Sequence, residues 1–257
     1  MKKTLFLFLI VALFLGKGSA WAAQGNNSKA VNDLLNDDYM DDNNPASVVY
    51  DPLEPINRVF FTFNDKLYFW VEKPIVTGYS AVIPKDLRKC FSNFFNNITS
   101  PITFLNDILQ GRFSDAGTVL SRFLINTTIG VFGFSDTAKE GFNLTARPAD
   151  FGQTLGVWGI GEGVYICWPI FGPSNMRDTV GLAADMTTHP TNFMDLTTTE
   201  KVGYFGTERV NSDSLEPIYE ELIKYSFDPY VAARQAYHDY RQAKINRYRL
   251  SGKPENK

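Results

Sequence analysis

The sequence has little of the side-chain chemistry on which most enzymes depend. Only two histidines, His189 and His238, and two cysteines, Cys90 and Cys167, occur among its 257 residues. None of them stands in a spacing typical of a metal site, and neither a nucleophile-elbow motif nor a Walker loop is present. The glycines at 159, 161 and 163 are spaced wrongly for a dinucleotide-binding turn. The sequence therefore predicts no metal and no cofactor, and it favours a protein that is not an enzyme.

Carboxylates do occur in the glycine-rich middle of the chain. Asp136, Asp150, Asp178 and Asp185 could in principle form an acid–base pair. Helix caps and salt bridges to Arg122, Arg147 or Arg177 explain them more simply.

Two cysteines are too few for a disulfide framework. Cys90 and Cys167 could form one bond in an exported protein, or both could be small buried apolar residues, and the sequence leaves both open. No cysteine lies near the end of the amino-terminal apolar segment. A site for attaching a bacterial lipid anchor is therefore not expected.

Long apolar runs are also scarce. One such run, 4–15, follows Lys2 and Lys3 and precedes the small-x-small triplet 20–22. This pattern predicts a secretory signal peptide over residues 1–22, cleaved after Ala22, because the run is too short to span a bilayer. No later segment is long and apolar enough to cross a membrane as a helix.

Positive charge is limited once the signal is removed. Residues 1–22 contain three lysines and no acids, so the formal charge moves from -3 to -3 - 3 = -6, which argues against a nucleic-acid partner. Residues 23–48 are acidic and asparagine-rich, a composition typical of a disordered leader. Residues 246–257 read as a basic, flexible tail. Between them, residues 49–245 are predicted to form one mainly helical domain.

Aromatic residues are abundant, and they are concentrated in the helices. The chain has 21 phenylalanines. A first helix, from Ile56 to Glu72, opens on Asp51-Pro52 with Asp51 as its cap and Glu54 completing a capping box. Apolar side chains cover most of its circumference, so it is either buried in protein or meets lipid. The sequence does not separate these two fates.

The remaining elements are again mostly helical. A loop is predicted from Lys73 to Pro84, followed by a basic amphipathic helix that either lies in a membrane interface or packs on a core. Ser100-Pro101 is expected to begin a new short helix, and Ser114-Asp115 another. Further predictions are a strand at 164–168, a helix from Ser174 to Asp185, close helix packing at Gly152 and Gly156, and helices at 199–224 and from Asp228 onward.

An ordered set of motifs identifies a family. The chain begins its domain with Asp51-Pro52-Leu53-Glu54 and Asn57-Arg58, and continues with the motifs Ser92-Asn93-Phe94, Leu109-Gln110-Gly111, Arg122 to Thr127, Gly130 to Asp136, Phe151 to Gly156, Arg177-Asp178, Ala184-Asp185 and Asp228-Pro229-Tyr230. This series resembles the MlaA (VacJ) proteins of the Gram-negative outer membrane over about residues 50–241.

The resemblance implies a ring of amphipathic helices around a central polar channel, placed at the periplasmic face of the outer membrane. It implies that phospholipid misplaced in the outer leaflet passes through the channel to a soluble periplasmic carrier, and that a trimeric porin is a partner. Lipid asymmetry is maintained as a result. Because this chain lacks the cysteine that is lipidated in typical members, its attachment would be peripheral, through apolar helices, the porin or an uncleaved signal.

Three groups of site residues follow as hypotheses. The candidate gate is Asn93, Phe94, Phe95, Asn96 and Asn97, where three asparagines flank two phenylalanines and break helical propensity. The candidate channel wall is Arg122, Asn126, Arg177, Asp178 and Asp185, with caps and salt bridges as the alternative. The candidate membrane rim is Phe60, Phe61, Phe69, Trp70 and Phe91, together with Phe95, with ordinary core packing as the alternative.

Two other functions share this composition. A soluble periplasmic lipid-binding module without a channel would remain in solution beside liposomes or porin. A phospholipase would need a nucleophile and a base, and it would release product from labelled lipid.

Overall fold

The structure is a computed structural model that describes residues 49–216 and 218–251. The predicted signal peptide and leader therefore lie outside the described residues, as does the end of the predicted tail, 252–257. The helices are α1 Glu54–Leu67, α2 Lys73–Val82, α3 Lys85–Leu109, α4 Phe113–Thr128, α5 Thr137–Phe142, α6 Phe151–Val157, α7 Met176–Thr188, α8 Thr198–Leu215, α9 Ile218–Lys224 and α10 Pro229–Ser251. A two-stranded antiparallel sheet pairs β1 Tyr165–Trp168 with β2 Gly172–Asn175.

The elements make a closed circuit of contacts. The sheet packs on α1 and on α10; α10 packs on α6, and α6 on α3. α3 then contacts α8, and α8 contacts α2, which continues from α1. The mainly helical, ring-like arrangement is therefore confirmed.

The first helix differs from its prediction at both ends. A π-helical turn, Tyr68–Glu72, joins α1 to α2, so helix replaces the loop expected after Lys73. The amide of Lys73 bonds to the Tyr68 carbonyl, five residues back, immediately before Pro74. A wider turn accommodates a proline that cannot donate a backbone hydrogen bond. At the other end, Asp51 does not cap α1; its carboxylate accepts from Asn57 and Arg234 instead.

The predicted break at Ser100-Pro101 is wrong. α3 runs without interruption from Lys85 to Leu109 with Pro101 inside it. The hydroxyls of Thr99 and Ser100 donate to the carbonyl of Asn96, at 3.1 and 3.0 Å. These side-chain bonds add to the hydrogen bonding of the helical turn before the proline. The segment 93–97 consequently lies in the middle of a long helix.

Glycines bring α6, α7 and α10 together, as the small-xxx-small spacing predicts. A Cβ on Gly181 of α7 would lie 2.3 Å from the backbone nitrogen of Gly152 of α6, and one on Gly156 would lie 2.5 Å from Ile245 of α10. Only glycine permits such a close approach of the backbones. The short strand at 165–168 is also confirmed, whereas α7 is capped by Asn175 rather than Ser174.

The distribution of polarity is inverted relative to an ordinary soluble domain. Among the described residues, buried polar and charged side chains are about as numerous as buried apolar ones, and asparagine is the most frequent of the polar types. Large apolar side chains are instead exposed on most helices, with Trp70 74%, Val82 76% and Phe113 70% exposed. Within 49–216 and 218–251, no helix combines the length and apolarity that crossing a bilayer requires.

Candidate functional site

A polar cavity of about 170 Å³ lies between α3, α4 and the start of α5. Asparagine, threonine and charged side chains supply most of its wall. The lining residues are Asn93, Asn96, Asn97, Thr99, Ser100, Thr103, Val119, Arg122, Asn126, Asp136, Lys139, Ala146, Arg147 and Pro148. Three asparagines of the predicted gate and two residues of the predicted channel wall thus meet at one site.

α4 forms one side of the cavity with its polar face, and its apolar face points away. Arg122 and Asn126 are four residues apart and therefore lie on the same face of the helix, toward the cavity. Leu120 and Leu124 lie on the other face and are exposed, 42% and 54%. The helix is amphipathic with its polar face turned inward.

Asp136 organises the charged groups at this site. Arg122 Nη2 lies 3.0 Å from Asp136 Oδ2, and Asn126 Nδ2 donates to Asp136 Oδ1 at 3.0 Å. Asp136 also caps α5 through the amide of Lys139. Asn126 Oδ1 accepts from the backbone amide of Ala138 at 2.8 Å. The carboxylate is therefore neutralised by Arg122 and held in place by a helix terminus.

The cavity carries an excess of positive charge. Arg122, Lys139 and Arg147 supply three cations and Asp136 one carboxylate, a balance of 3 - 1 = +2. Among the described residues, neither the Lys139 ammonium nor the Arg147 guanidinium has an ion-pair partner, and both residues are exposed. A small polar site with two uncompensated cations attracts an anion.

The predicted gate residues divide between two faces of α3. Asn97 is buried and donates from Nδ2 to Thr127 Oγ1 at 2.8 Å, while its Oδ1 has no hydrogen-bond partner among the described residues. Phe94 stacks on Phe134 with ring centroids 4.8 Å apart. Phe95 is buried against Tyr204. The asparagines line the cavity, and the two phenylalanines pack against other aromatic rings.

The other three residues proposed for the channel wall lie elsewhere. Asp178 accepts hydrogen bonds from Arg177 and Arg241, and Asp185 accepts from the amide of Phe151 at 3.0 Å. Although burial alone raises it, the two arginines lower the pKa of Asp178 well below its usual range. These residues are not among those that line the cavity, and their contacts are the salt bridges and caps that the sequence offered as the alternative.

The proposed rim residues differ in exposure. Trp70 is the most exposed of them, whereas Phe60 and Phe61 are half-buried against the cluster of Tyr165, Cys167 and Tyr230. Phe69 is half-buried beside Tyr68, and Phe91 is half-buried beside Phe134.

Lys139 and Arg147 belong to the cavity, and the sequence did not single them out as site residues. Lys139 follows the Asp136 cap by one turn, and Arg147 lies in the segment after α5. The helix cap at Asp136 could have indicated that Lys139 lies near this carboxylate. Nothing in the local pattern indicated Arg147, since it reaches the cavity only through the path of the chain.

The structure shows no disulfide between the two cysteines. Cys90 and Cys167 are free. Within the part of the chain that the structure describes, no three histidine, cysteine or carboxylate side chains are grouped to hold a metal ion.

Comparisons with known proteins agree with this architecture. A family model described as "MlaA lipoprotein" matches residues 49–244. The chain is 32% identical over 196 residues to a Shigella flexneri protein named "Intermembrane phospholipid transport system lipoprotein MlaA", covering 74% of this chain and 77% of that protein. The protein of the same name from Escherichia coli K12 gives the same identity and coverage.

Two further similarities extend the comparison. An uncharacterized protein of Rickettsia felis is 31% identical over 216 residues, covering 83% of this chain and 85% of that protein. A solved structure described as "Structural basis for maintenance of bacterial outer membrane lipid asymmetry" superposes with a TM-score of 0.66 at 28% identity, covering 76% of this chain and 99% of that one.

Proposed function

Because the chain belongs to the MlaA family, we propose that it removes phospholipid from the outer leaflet of the outer membrane and passes it to a soluble periplasmic carrier. Relatives are named for intermembrane phospholipid transport, and the similar solved structure is described by its role in outer-membrane lipid asymmetry. The transfer needs no covalent step, so the chain acts as a transport component rather than as an enzyme.

The inverted polarity of the helices is the observation that carries this proposal. α4 turns Arg122 and Asn126 inward and leaves Leu120 and Leu124 exposed. In water this arrangement forfeits the usual gain from burying apolar side chains, about 25 cal/mol per Å². In the hydrocarbon of one leaflet the same surface is well solvated. The exposed apolar faces therefore support insertion into the membrane without a spanning helix.

The polar cavity supports passage of the lipid headgroup. Its excess cations, Lys139 and Arg147, complement the phosphate that all phospholipids share. A volume of about 170 Å³ suits a headgroup rather than a whole lipid. The tails remain in the surrounding hydrocarbon, which avoids a loss of about 0.8 kcal/mol for each methylene exposed to water. Asn93, Asn96 and Asn97 stand at the cavity wall, where a gate would control passage.

The proposed partners follow from the same role. A trimeric porin in the outer membrane would hold the ring in the leaflet, and a periplasmic carrier would receive the lipid. The porin also provides an anchor for a chain whose two cysteines both lie within the folded domain.

The test is made in the native host after deletion of this gene. Cells that carry the chain or an empty vector are fractionated, and an impermeant phospholipase added to intact cells measures outer-leaflet phospholipid. We expect the chain in the outer-membrane fraction together with porin, and more cleavable phospholipid in the cells without it. Recovery of the chain in the soluble periplasm would favour a lipid-binding module. Equal cleavage in both strains, at normal levels of the chain, would reject the proposal.

A further inference from the structure

The turn between α4 and α5 holds two large residues in a backbone conformation that normally requires glycine. Val131 has φ 53°, Phe132 has φ 56°, and Gly133 has φ 93°. A β-branched or bulky residue in the left-handed region is strained, and such strain persists only where the surroundings enforce it. The conformation of this turn, residues 129–134, therefore has to be explained by its contacts.

The backbone of the turn is fixed on the carbonyls of α4. The amide of Phe132 donates to the Thr127 carbonyl at 3.0 Å, and that of Gly133 donates to the Asn126 carbonyl at 2.8 Å. The amide of Ser135 closes the turn on the Gly130 carbonyl at 2.9 Å. These bonds replace the helical pattern and keep both residues in the left-handed region.

α3 supports the turn from the other side. Gly133 lies so close to α3 that a Cβ on it would come within 2.5 Å of the Cβ of Asn97. Asn93 Nδ2 donates to the Phe134 carbonyl at 3.3 Å, and the Phe134 ring stacks on Phe94. Two rigid helices thus enforce the conformation.

The enforced conformation directs apolar side chains outward. Ile129, Val131 and Phe132 are 62%, 63% and 70% exposed. The chain has no charged residue from 123 to 135. Leu120 and Leu124 of α4, in the preceding part of the chain, are also exposed. In water, the turn would combine strain with exposed apolar surface and gain nothing from either.

The turn also adjoins the polar cavity. Asn97 and Asn126 contact the turn, and the same two residues line the cavity. The three exposed side chains of the turn, which form its apolar tip, and the cationic cavity are therefore separated by Asn97 and Asn126. A molecule with a phosphate at one end and hydrocarbon at the other matches this pair of surfaces.

We propose that Ile129, Val131 and Phe132 form a wedge that inserts among the acyl chains of the leaflet and contacts the tails of a phospholipid whose headgroup enters the cavity. This inference rests on the proposed function. Acyl chains are the fitting occupant because the tip offers no charged or hydrogen-bonding side chain, whereas protein interfaces carry a polar rim. The adjoining cationic cavity points to the same occupant, because its charge complements the phosphate of a phospholipid.

Fluorescence quenching in liposomes tests the position of the wedge. Phe132→Cys is labelled with an environment-sensitive dye in the full chain, in a Cys90→Ser background. Cys167 is not labelled because it is fully buried, and burial raises the pKa of its thiol to about 12. Trp70→Cys serves as the membrane control, and Asp86→Cys, whose side chain is 95% exposed and charged, serves as the aqueous control.

We expect lipids brominated on their acyl chains to quench the labels at 132 and 70, and aqueous iodide to quench only the label at 86. If bromine quenches at 70 while iodide quenches at 132, the wedge is rejected and membrane insertion stands. If bromine quenches at neither position, both the wedge and the membrane insertion in the proposed function are rejected. A label at 132 that is shielded from both quenchers would mean that a second copy of the chain covers the turn, which also rejects the acyl occupant.

A functional variant tests whether the wedge contributes to transport. Val131→Asn with Phe132→Asn removes the apolar tip, and asparagine tolerates the left-handed region, so the fold is retained. We expect phospholipid transfer from liposomes to the carrier to fall by about tenfold or more, because two apolar contacts with the acyl chains are lost, with an unchanged or raised melting temperature. Phe193→Asn, at a similarly exposed phenylalanine outside the turn, is the control and should transfer lipid normally. Normal transfer by the double variant would overturn the proposal.

Discussion

Arg241 of α10 donates two hydrogen bonds to the carboxylate of Asp178 of α7, at 2.8 and 2.9 Å. The same guanidinium bonds to Asp150, the cap of α6, at 2.6 and 2.8 Å. The Tyr237 hydroxyl donates to Asp178 at 2.7 Å. One side chain thus connects three helices, α6, α7 and α10, through two carboxylates.

Arg241→Met is expected to lower the free energy of unfolding by about 3 to 5 kcal/mol, because it leaves the buried Asp178 carboxylate without its main partner. Denaturant unfolding in detergent measures the change. Lys89→Met is the control, since the Lys89–Asp86 pair is solvent-exposed and should contribute about 1 kcal/mol or less. Equal effects of the two substitutions would contradict the structural role of Arg241.

Gly181→Ala is expected to force α6 and α7 apart, because the new methyl group would lie 2.3 Å from the backbone nitrogen of Gly152. A loss of about 1 to 3 kcal/mol or more is typical of overpacking. Gly203→Ala in α8 is the matched control, since nothing lies within 4 Å of its Cβ position. That change should raise stability by about 0.5 to 1 kcal/mol. Two melting temperatures that move in the same direction would refute the close packing of α6 on α7.

The free energy of unfolding is expected to depend on pH because of Asp107 in α3. Its side chain is fully buried, with Arg112 Nη1 at 3.0 Å from Oδ1 and no hydrogen-bond partner for Oδ2 among the described residues. Burial raises the pKa of Asp107 to about 6, although Arg112 opposes the shift. The folded chain therefore holds a proton that the unfolded chain releases near pH 4.

We therefore compare the free energy of unfolding of the unaltered protein with that of Asp107→Asn. The unaltered protein is expected to lose about 1 to 3 kcal/mol relative to the variant as the pH rises from about 4 to about 7. Below this range the carboxyl is protonated in both states, and above it the full penalty for a buried charge is present. Unfolding of both proteins across this range gives the difference. Asp86→Asn, at an exposed carboxylate, should show no such trend, and a constant difference for Asp107→Asn would disprove the assignment.

The sequence predicts the mainly helical character of the domain, but it misses α2 and the continuity of α3 through Pro101, and it does not give the direction in which the helix faces point. Asn57 is one of the polar residues of α1, most of whose circumference is apolar in the sequence. In the structure it is buried, accepts from the amide of Cys167 at 2.9 Å and donates to the carbonyl of Tyr165 at 3.1 Å. An amphipathic helix has the same pattern of polar and apolar residues whether its apolar face or its polar face is buried. Only the tertiary contacts therefore show that the polar faces point inward.

Site residues on one helix were easier to predict than those defined by distant partners. Arg122 and Asn126 lie on one face of α4 and both reach the cavity. Arg177 and Asp178 show the same local polarity, yet Arg241, 63 residues beyond Asp178, takes them into a buried network. A contact between segments so far apart leaves no trace in local spacing.

The cationic cavity gives the most direct prediction about transport. Lys139→Glu with Arg147→Glu changes the balance of the lining charges from 3 - 1 = +2 to 1 - 3 = -2. The reversed cavity would repel a phosphate that enters it. We expect transfer of phospholipid from liposomes to the carrier to fall by about tenfold or more in low salt, and the deficit to shrink as salt screens the charges.

Two controls separate this effect from a general change of surface charge. Lys85→Glu with Lys89→Glu makes the same change in net charge at exposed positions of α3 that do not line the cavity, and it should transfer phospholipid normally. Diacylglycerol, which has tails but no phosphate, should be bound equally by both variants and by the unaltered chain. If the two double variants lose transfer to the same extent, the effect comes from the overall surface charge and not from the cavity. If diacylglycerol binding falls together with phospholipid transfer, the cavity does not act by attracting phosphate, because a site that recognises the phosphate would leave the binding of diacylglycerol unchanged.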